Sequence, residues 1–337
     1  MRKVLVTGAT GMIGGELALR LARTDDVYCL VRGTEQEALA KLKARGLDGV
    51  KLILGDLTGP YQLPDLDLVV HAAAETSFVQ DERCQLTNVR GTELLLERLA
   101  AQKFSGLFCY ISTACNVGAV LGACLREEEG CLVDNRHHNS YTLSKAHAET
   151  LVQRSGLDVL TIRPSVVVSA GIDNPVFARQ ILWFAPLIRK FSSLPLVRSS
   201  RLDVIPVAFL ADATIGLIDR PVRRHDCYNV SAGRQAATLG DWLVEIEAHY
   251  PPAAPLQIVE SLDEAVAWRP RWTSAQQARI FAGLSHYLPF FNMDTVFDNG
   301  RLQEELGRLE VPTISTYLHG LFSQLTERDS LAEAAAP

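Results

Sequence analysis

The chain has 337 residues, 47% hydrophobic and 21% charged, with 33 Lys+Arg against 39 Asp+Glu and a formal net charge of −6. This length and composition support a sizeable core, fit two modest domains or one elaborated α/β domain, and exclude a disordered chain. The acidic balance excludes a general nucleic-acid binder, and seven cysteines with no C-x-x-C pair point away from a disulfide or zinc scaffold and towards a reducing compartment.

Residues 1–3 run straight into an apolar strand pattern at 4–7 with no leader-like segment, so no signal peptide is expected and the location expected is cytoplasmic. The strand meets Gly8-Ala9-Thr10-Gly11-Met12-Ile13-Gly14 and then helical spacing over 12–22. Three glycines at a strand–helix junction let the backbone turn tightly and approach a pyrophosphate at the helix N-terminus. No Gly-Lys-Ser/Thr follows, which excludes an ATPase-type phosphate loop. A second strand is expected at 27–31, a charged helix at 35–44, and strands at 50–54 and 66–71. The second strand ends on Leu30-Val31-Arg32, with no acid before Glu35. A guanidinium there suits a 2′-phosphate, so Arg32 favours NADPH/NADP+ over NAD, with Lys41 as a second cation or a solvated residue. Asp56, followed by Leu57, is placed to meet the adenine edge or to cap a turn.

Helical sequence fills 81–101, and a fifth strand is expected at 107–112. The 22 residues from 104 to 125 lack formal charge, but glycines and polar residues break them, so a buried strand and loop are expected rather than a transmembrane helix. Helix 141–154 carries Tyr141-Thr142-Leu143-Ser144-Lys145, whose i,i+4 spacing puts phenol and ammonium on one face. The cation should pull the phenol pKa down from about 10 towards neutrality, as a general acid requires. Thr113, at the end of the fifth strand, supplies a hydroxyl for a substrate carbonyl oxygen. A strand at 159–163 ends at Pro164. Together these elements predict a doubly wound parallel α/β sheet of the Rossmann type, with a smaller, mostly helical substrate-binding subdomain. The division expected is 1–170 with 204–233 for the nucleotide-binding part and 171–203 with 234–330 for the substrate side.

The motifs from the glycine loop through Gly55-Asp56-Leu57, His71-Ala72-Ala73-Ala74, Asn88-Val89-Arg90-Gly91-Thr92, Ser112-Thr113 and Tyr141-to-Lys145 to Arg163-Pro164-Ser165 occur in this order. The set, over about residues 3 to 233, resembles the extended short-chain dehydrogenase/reductases. Leu30-Val31-Arg32, the His-Ala-Ala-Ala-Glu-Thr-Ser-Phe stretch and Arg-Pro-Ser-Val-Val-Val resemble the thioester reductase and fatty-acyl reductase (male-sterility) branch. The resemblance implies Thr113 as the hydroxyl partner, Tyr141 as proton donor, and Lys145 as pKa tuner and ribose ligand. It places Gly8, Thr10, Gly11, Met12, Ile13, Gly14 and Ala72, Ala73 and Ala74 along the cofactor, and Pro164, Val166 and Val167 against the nicotinamide. Asn88 would order the site. Ser169-Ala170-Gly171 departs from the branch, which commonly has glycine directly after Val-Val-Val, and this leaves the substrate-side loop open.

Between Asp173 and Asp203 there is no acid, while Arg179, Arg189, Lys190, Arg198 and Arg201 interleave with Ile181-Leu182-Trp183-Phe184 and Leu187-Ile188. This segment reads as an apolar acyl wall with a basic rim for a phosphopantetheine phosphate or an acidic carrier, as a packed amphipathic helix, or as an attachment to an anionic membrane. Glu127-Glu128-Glu129 reads as a solvated turn. His137-His138 lacks the partners of a metal site, and none is expected. Trp268-Arg269-Pro270-Arg271-Trp272 is a ligand wall or a packed surface element. The whole points to an NADPH-dependent reductase of an acyl thioester, held on coenzyme A or on an acyl or peptidyl carrier protein, giving aldehyde or alcohol. The alternatives are an extended reductase, dehydrogenase or epimerase acting on a ketone, hydroxysteroid or sugar nucleotide, and a non-catalytic NADP-binding regulator.

Overall fold

A computed structural model describes residues 1–78, 80–129, 131, 133–169, 181–307, 309–323, 325 and 331. In chain order the first half runs β1 (Lys3–Thr7), α1 (Met12–Leu21), β2 (Asp26–Val31), α2 (Glu35–Lys43), β3 (Lys51–Leu54), β4 (Leu68–His71), α3 (Asp81–Cys84), a π-helical turn (Gln85–Arg90), α4 (Gly91–Ala101) and β5 (Leu107–Ile111). A 3₁₀ turn (Ala114–Val117), β6 (Cys124–Leu125), α5 (Ser140–Gln153), β7 (Asp158–Pro164) and β8 (Val166–Val168) follow. Then come β9 (Ser193–Val197), β10 (Val204–Pro206), α6 (Val207–Ile218) and β11 (Cys227–Val230). The remainder is α7 (Leu239–His249), β12 (Gln257–Val259), α8 (Leu262–Ala267), α9 (Ala275–Ser285), α10 (Leu288–Phe291), β13 (Val296–Phe297), α11 (Gly300–Leu306) and α12 (Ile314–Phe322).

Seven strands form one sheet in the order β11-β7-β5-β4-β1-β2-β3, with every pairing parallel. The fold is therefore the doubly wound Rossmann architecture expected from the strand–helix rhythm. Val4, Val6, Val70 and Cys109 face one apolar core with α1 and α6, whereas Leu5, Val69, Phe108 and Tyr110 face another with α4 and α5. Both faces are covered, which is why these strands are nearly continuous apolar runs. A third core gathers Leu182, Trp183, Phe184, Leu194, Trp242, Phe291 and Leu318 from the later segments.

Three expectations are corrected. The helix read over 81–101 is two α-helices joined by the π turn that carries Asn88. Leu182, Trp183, Phe184, Leu187 and Ile188 do not form an open acyl wall; they are buried in the third core. Glu127 is not solvated: it is buried, its Oε1 accepts the Asn229 amide (3.1 Å), and burial raises its carboxyl pKa. Arg179, Ala170 and Gly171 lie outside the described residues. The uncharged stretch 104–125 contains β5, the 3₁₀ turn and β6, and among the described residues no helix is long and apolar enough to cross a membrane.

A buried ionic network holds α5 against the sheet. The Glu149 carboxylate accepts Arg163 Nη2 (2.5 Å) and Nε (3.0 Å) from β7, Ser112 Oγ (2.5 Å) from the end of β5, and Asn116 Nδ2 (2.5 Å) from the 3₁₀ turn. Arg163 Nη1 also donates to the Glu127 carbonyl (3.0 Å). The Arg163 and Glu149 side chains are 3% and 0% exposed, so removing either charge strands the other in a medium that cannot solvate it. Glu149→Gln is expected to cost about 3–5 kcal/mol of stability in denaturant unfolding, against at most ~1 kcal/mol for Glu260→Gln in the exposed pair with Arg198.

Candidate active site

The carboxyl ends of parallel strands leave a crevice where backbone amides and helix N-termini converge. Here a cavity of about 350 Å³ opens at the ends of β1, β2 and β4. Gly8, Thr10, Gly11, Arg32, Asp56, Leu57, Ala72, Ala73 and Ala74 line it, together with Thr7, Lys41, Glu75 and Thr87. Met12, Ile13, Gly14, Asn88, Pro164, Val166 and Val167 are not on that wall.

The glycines have distinct steric duties. Gly8 takes φ +74°, and a Cβ there would stand 2.7 Å from the Ala73 nitrogen; a Cβ on Gly14 would stand 2.4 Å from the Gly8 carbonyl oxygen. Side chains at either place would force β1, the loop and β4 apart. The N-terminus of α1 has no side-chain cap and no acid in its first turn, so its dipole faces the cavity uncompensated. Behind it, Arg45 Nη2 donates to the Gly11 carbonyl (2.9 Å) and the Met12 carbonyl (3.2 Å). Arg45 belongs to no motif, so only the fold could disclose it.

Arg32 and Lys41 are both exposed, and both line the cavity. Asp56 acts as a turn cap, accepting Thr58 N (3.0 Å) and Oγ1 (2.8 Å), while also lining the cavity. Burial opposes its ionised form, but the Thr58 bonds and the Arg32 charge outweigh it and hold the carboxyl below its ordinary pKa.

The three candidate reactive residues lie on α5 and just after the end of β5, which α5 abuts. Lys145 Nζ donates to the Ile111 carbonyl (2.6 Å) and sits 4.2 Å from the Tyr110 ring centre. Thr113 Oγ1 accepts the Cys115 amide (3.2 Å), leaving its own hydroxyl proton to donate; Ser112 is committed to Glu149. Tyr141 is half-buried on the first turn of α5, one turn from Lys145. The expected downward pull on the phenol is overturned. Burial, reinforced by nearby Cys115 and Cys84, raises the Tyr141 pKa, and burial lowers Lys145 to about 7 despite the opposing Glu149 charge. The sequence spacing displays the pairing but not the loss of water that weakens it.

Tyr141 faces an aromatic wall that sequence reasoning missed. Phe78 lies 6.3 Å from the Tyr141 ring, 5.0 Å from Tyr287 and 5.2 Å from Phe290, centre to centre. Phe290 joins Ala114, Val117, Leu125, Met293 and Phe297 in a small apolar cluster beside the 3₁₀ turn. Two members of the wall come from the far end of the chain, where no motif advertises them. His137 Nδ1 lies 3.2 Å from Thr142 Oγ1 beside the same helix, and among the described residues no group of His, Cys, Asp and Glu forms a metal site.

A directed hydrogen-bond chain joins the cavity to α5. Thr92 Oγ1 donates its single proton to the Asn88 carbonyl (2.6 Å), so it accepts from His71 Nε2 (2.9 Å). His71 Nδ1 therefore accepts from the Thr7 hydroxyl (2.7 Å), whose oxygen accepts the Ala73 amide (3.2 Å). The Asn88 side chain accepts Glu75 N (2.7 Å) and donates to the Glu75 carbonyl (2.9 Å) and to Ser144 Oγ (2.8 Å), which donates to the Tyr141 carbonyl (2.8 Å). Asn88 thus ties the Glu75 backbone to α5 and does not line the cavity.

The family described as the NAD dependent epimerase/dehydratase family matches residues 4–205. A UDP-glucose 4-epimerase of Vibrio cholerae is 26% identical over 258 residues, 70% of this chain and 73% of that protein. The terminal R domain from the myxalamid PKS-NRPS pathway superposes with a TM-score of 0.75 at 24% identity, covering 96% of this chain and 91% of that one. A thiolation-reductase di-domain from an archaeal non-ribosomal peptide synthetase gives 0.72 at 18% identity, covering 98% and 76%. The chain spans only 8% and 6% of two fungal polyketide synthases that it also matches.

His71 is buried, and burial with the nearby Lys145 charge lowers its pKa to about 3. Nitrogen NMR of labelled histidine is expected to show it neutral, with the proton on Nε2, from neutral pH down to about pH 4. A ring that protonates near pH 6, as ordinary histidine does, would break the chain's assigned direction.

Proposed function

Because the chain belongs to the NAD-dependent epimerase/dehydratase family of extended short-chain dehydrogenase/reductases, we propose that it is an NADPH-dependent reductase of acyl thioesters. The observation that carries this reading is the Phe78–Tyr287–Phe290 wall beside Tyr141, which offers an acyl group apolar surface and a sugar few hydrogen bonds. The likeness in fold to reductase domains of carrier-based synthases supports it, and so does an exposed Arg32 where NAD-binding sites use an acid. Coenzyme A or a carrier protein would present the thioester.

The residues present fit a dinucleotide. The close-packed glycines admit a pyrophosphate to the bare N-terminus of α1, and Arg32 with Lys41 would meet a 2′-phosphate. When bound, the reduced nicotinamide supplies a hydride. The Thr113 hydroxyl would hold the thioester carbonyl oxygen as negative charge develops on it, and Tyr141 would give that oxygen its phenolic proton. The resulting hemithioacetal breaks its C–S bond, the sulfur leaves as thiol, and the aldehyde remains. The raised pKa of Tyr141 keeps it protonated at neutral pH, and Lys145, its pKa lowered by burial to about 7, would stabilise the phenolate whenever it carries its proton. A sugar-nucleotide epimerase is the second reading, favoured by the family and by the Vibrio relative. It needs its nicotinamide regenerated in place and leaves Arg32 without a purpose.

Tyr141→Phe is expected to lower kcat for an acyl thioester about 10²–10⁴-fold while NADPH affinity changes little. Turnover within a few-fold of the unmodified enzyme would remove Tyr141 as the acid. In the same assay, free thiol and aldehyde or alcohol must appear; turnover of ketones alone would move the chain to carbonyl reduction. Arg32→Asp is expected to weaken NADPH by at least about tenfold with NADH nearly unchanged, since each 1.4 kcal/mol lost from the phosphate contact is tenfold in affinity. Equal losses for both would overturn the cofactor assignment.

A further inference from the structure

Far from the dinucleotide cavity along the chain, a second concavity of about 280 Å³ opens between the 3₁₀ turn Ala185–Lys190, β9 and the Trp268–Trp272 segment. Its size falls just below the roughly 300 Å³ at which small-ligand sites begin, room enough for a small ligand that projects from its mouth. Arg189, Lys190 and Arg271 line it, with no carboxylate among the described lining residues, in a chain whose formal net charge is −6. Trp268 and Trp272, both half-buried, form its aromatic side.

The walls are braced before any ligand arrives. Phe281 stacks on Trp268 with ring centres 5.3 Å apart and 29° between planes, and Phe191 meets Trp272 edge-on at 6.0 Å. Trp268 Nε1 donates to Ser193 Oγ (3.3 Å), and the Gln277 amide donates to the Lys190 carbonyl, so α9 is pinned to the basic turn. Thr273 and Gln277 bring the first turn of this 11-residue helix to the cavity, adding its positive dipole end. Rigid indoles beside guanidinium and ammonium groups recognise a ligand that is flat at one end and anionic at the other.

We propose that this cleft is a second ligand site, taking an organic phosphate that carries a planar ring, the chemistry shared by free nucleotides and the nucleotide end of coenzyme A. It would hold that ligand independently of the dinucleotide cavity, so the proposal goes beyond thioester reduction and is read by binding alone.

Of the four tryptophans, Trp183 and Trp242 are 1% exposed, so a change in intrinsic fluorescence reports chiefly on Trp268 and Trp272. The full chain is titrated with adenosine 3′,5′-bisphosphate, AMP, adenosine and inorganic phosphate. The expected result is saturable quenching by the two nucleotides, weakened by on the order of tenfold or more in Arg271→Glu and unchanged in Arg32→Asp. NADPH affinity should show the reverse pattern, spared in Arg271→Glu and reduced in Arg32→Asp. Tighter binding of the bisphosphate than of AMP assigns the site to the coenzyme A end; equal binding assigns it to nucleotides at large. Absence of quenching, indifference to Arg271→Glu, or equal binding of adenosine or of inorganic phosphate alone would each overturn the proposal. Failure of thioester turnover would leave these titrations unaffected, so the two readings fail separately.

Discussion

The Glu149 carboxylate is the point on which the candidate active site depends. It gathers a guanidinium from β7, a hydroxyl from the end of β5 and an amide from the turn that follows, all out of contact with water. A carboxylate in that setting is tolerable only while its partners stay in place. The helix carrying Tyr141 and Lys145 therefore cannot drift relative to Thr113 without exposing an unpaired charge to an apolar interior. The same network consumes Ser112, which makes its neighbour the hydroxyl with a proton to give.

Electrostatics within the site follow from burial more than from pairing. Lys145 loses much of its preference for charge because its ammonium meets a carbonyl and a ring face in place of water. Tyr141 is held firmly protonated for the same reason. In the reduction proposed above, such a pair would be quiet at rest, and the phenol would give up its proton only when a developing alkoxide offered it a stronger base.

Much of the fold was legible because the central strands of the large sheet, β1, β4, β5 and β7, are buried on both faces and read as short apolar runs. The glycine loop and the Tyr141–Lys145 spacing were legible for a related reason: backbone approach and i,i+4 geometry are local. What escaped was non-local. Arg45 reaches the glycine loop from α2's far end, and Tyr287 and Phe290 reach Phe78, the ring that meets Tyr141, from more than 200 residues further along the chain. Burial itself is collective, so the raised Tyr141 pKa and the hidden Glu127 had no signature in their neighbours. The apolar residues of 181–188 read equally as an acyl wall or as a packed helix, since sequence alone does not tell a lining from a core.

The π turn at Gln85–Arg90 carries one more residue than an α-turn of the same span, and it is there that Asn88 reaches Glu75 and Ser144. Deleting Val89 or Arg90, between Asn88 and α4, would let the helix close into regular α geometry, with every backbone bond satisfied. The preceding segment would then rotate by about 100° relative to α4, the angle of one residue in an α-helix. The helix would survive and Asn88 would point elsewhere. For this stretch of chain, length is therefore a more stringent functional constraint than the identity of most side chains along it.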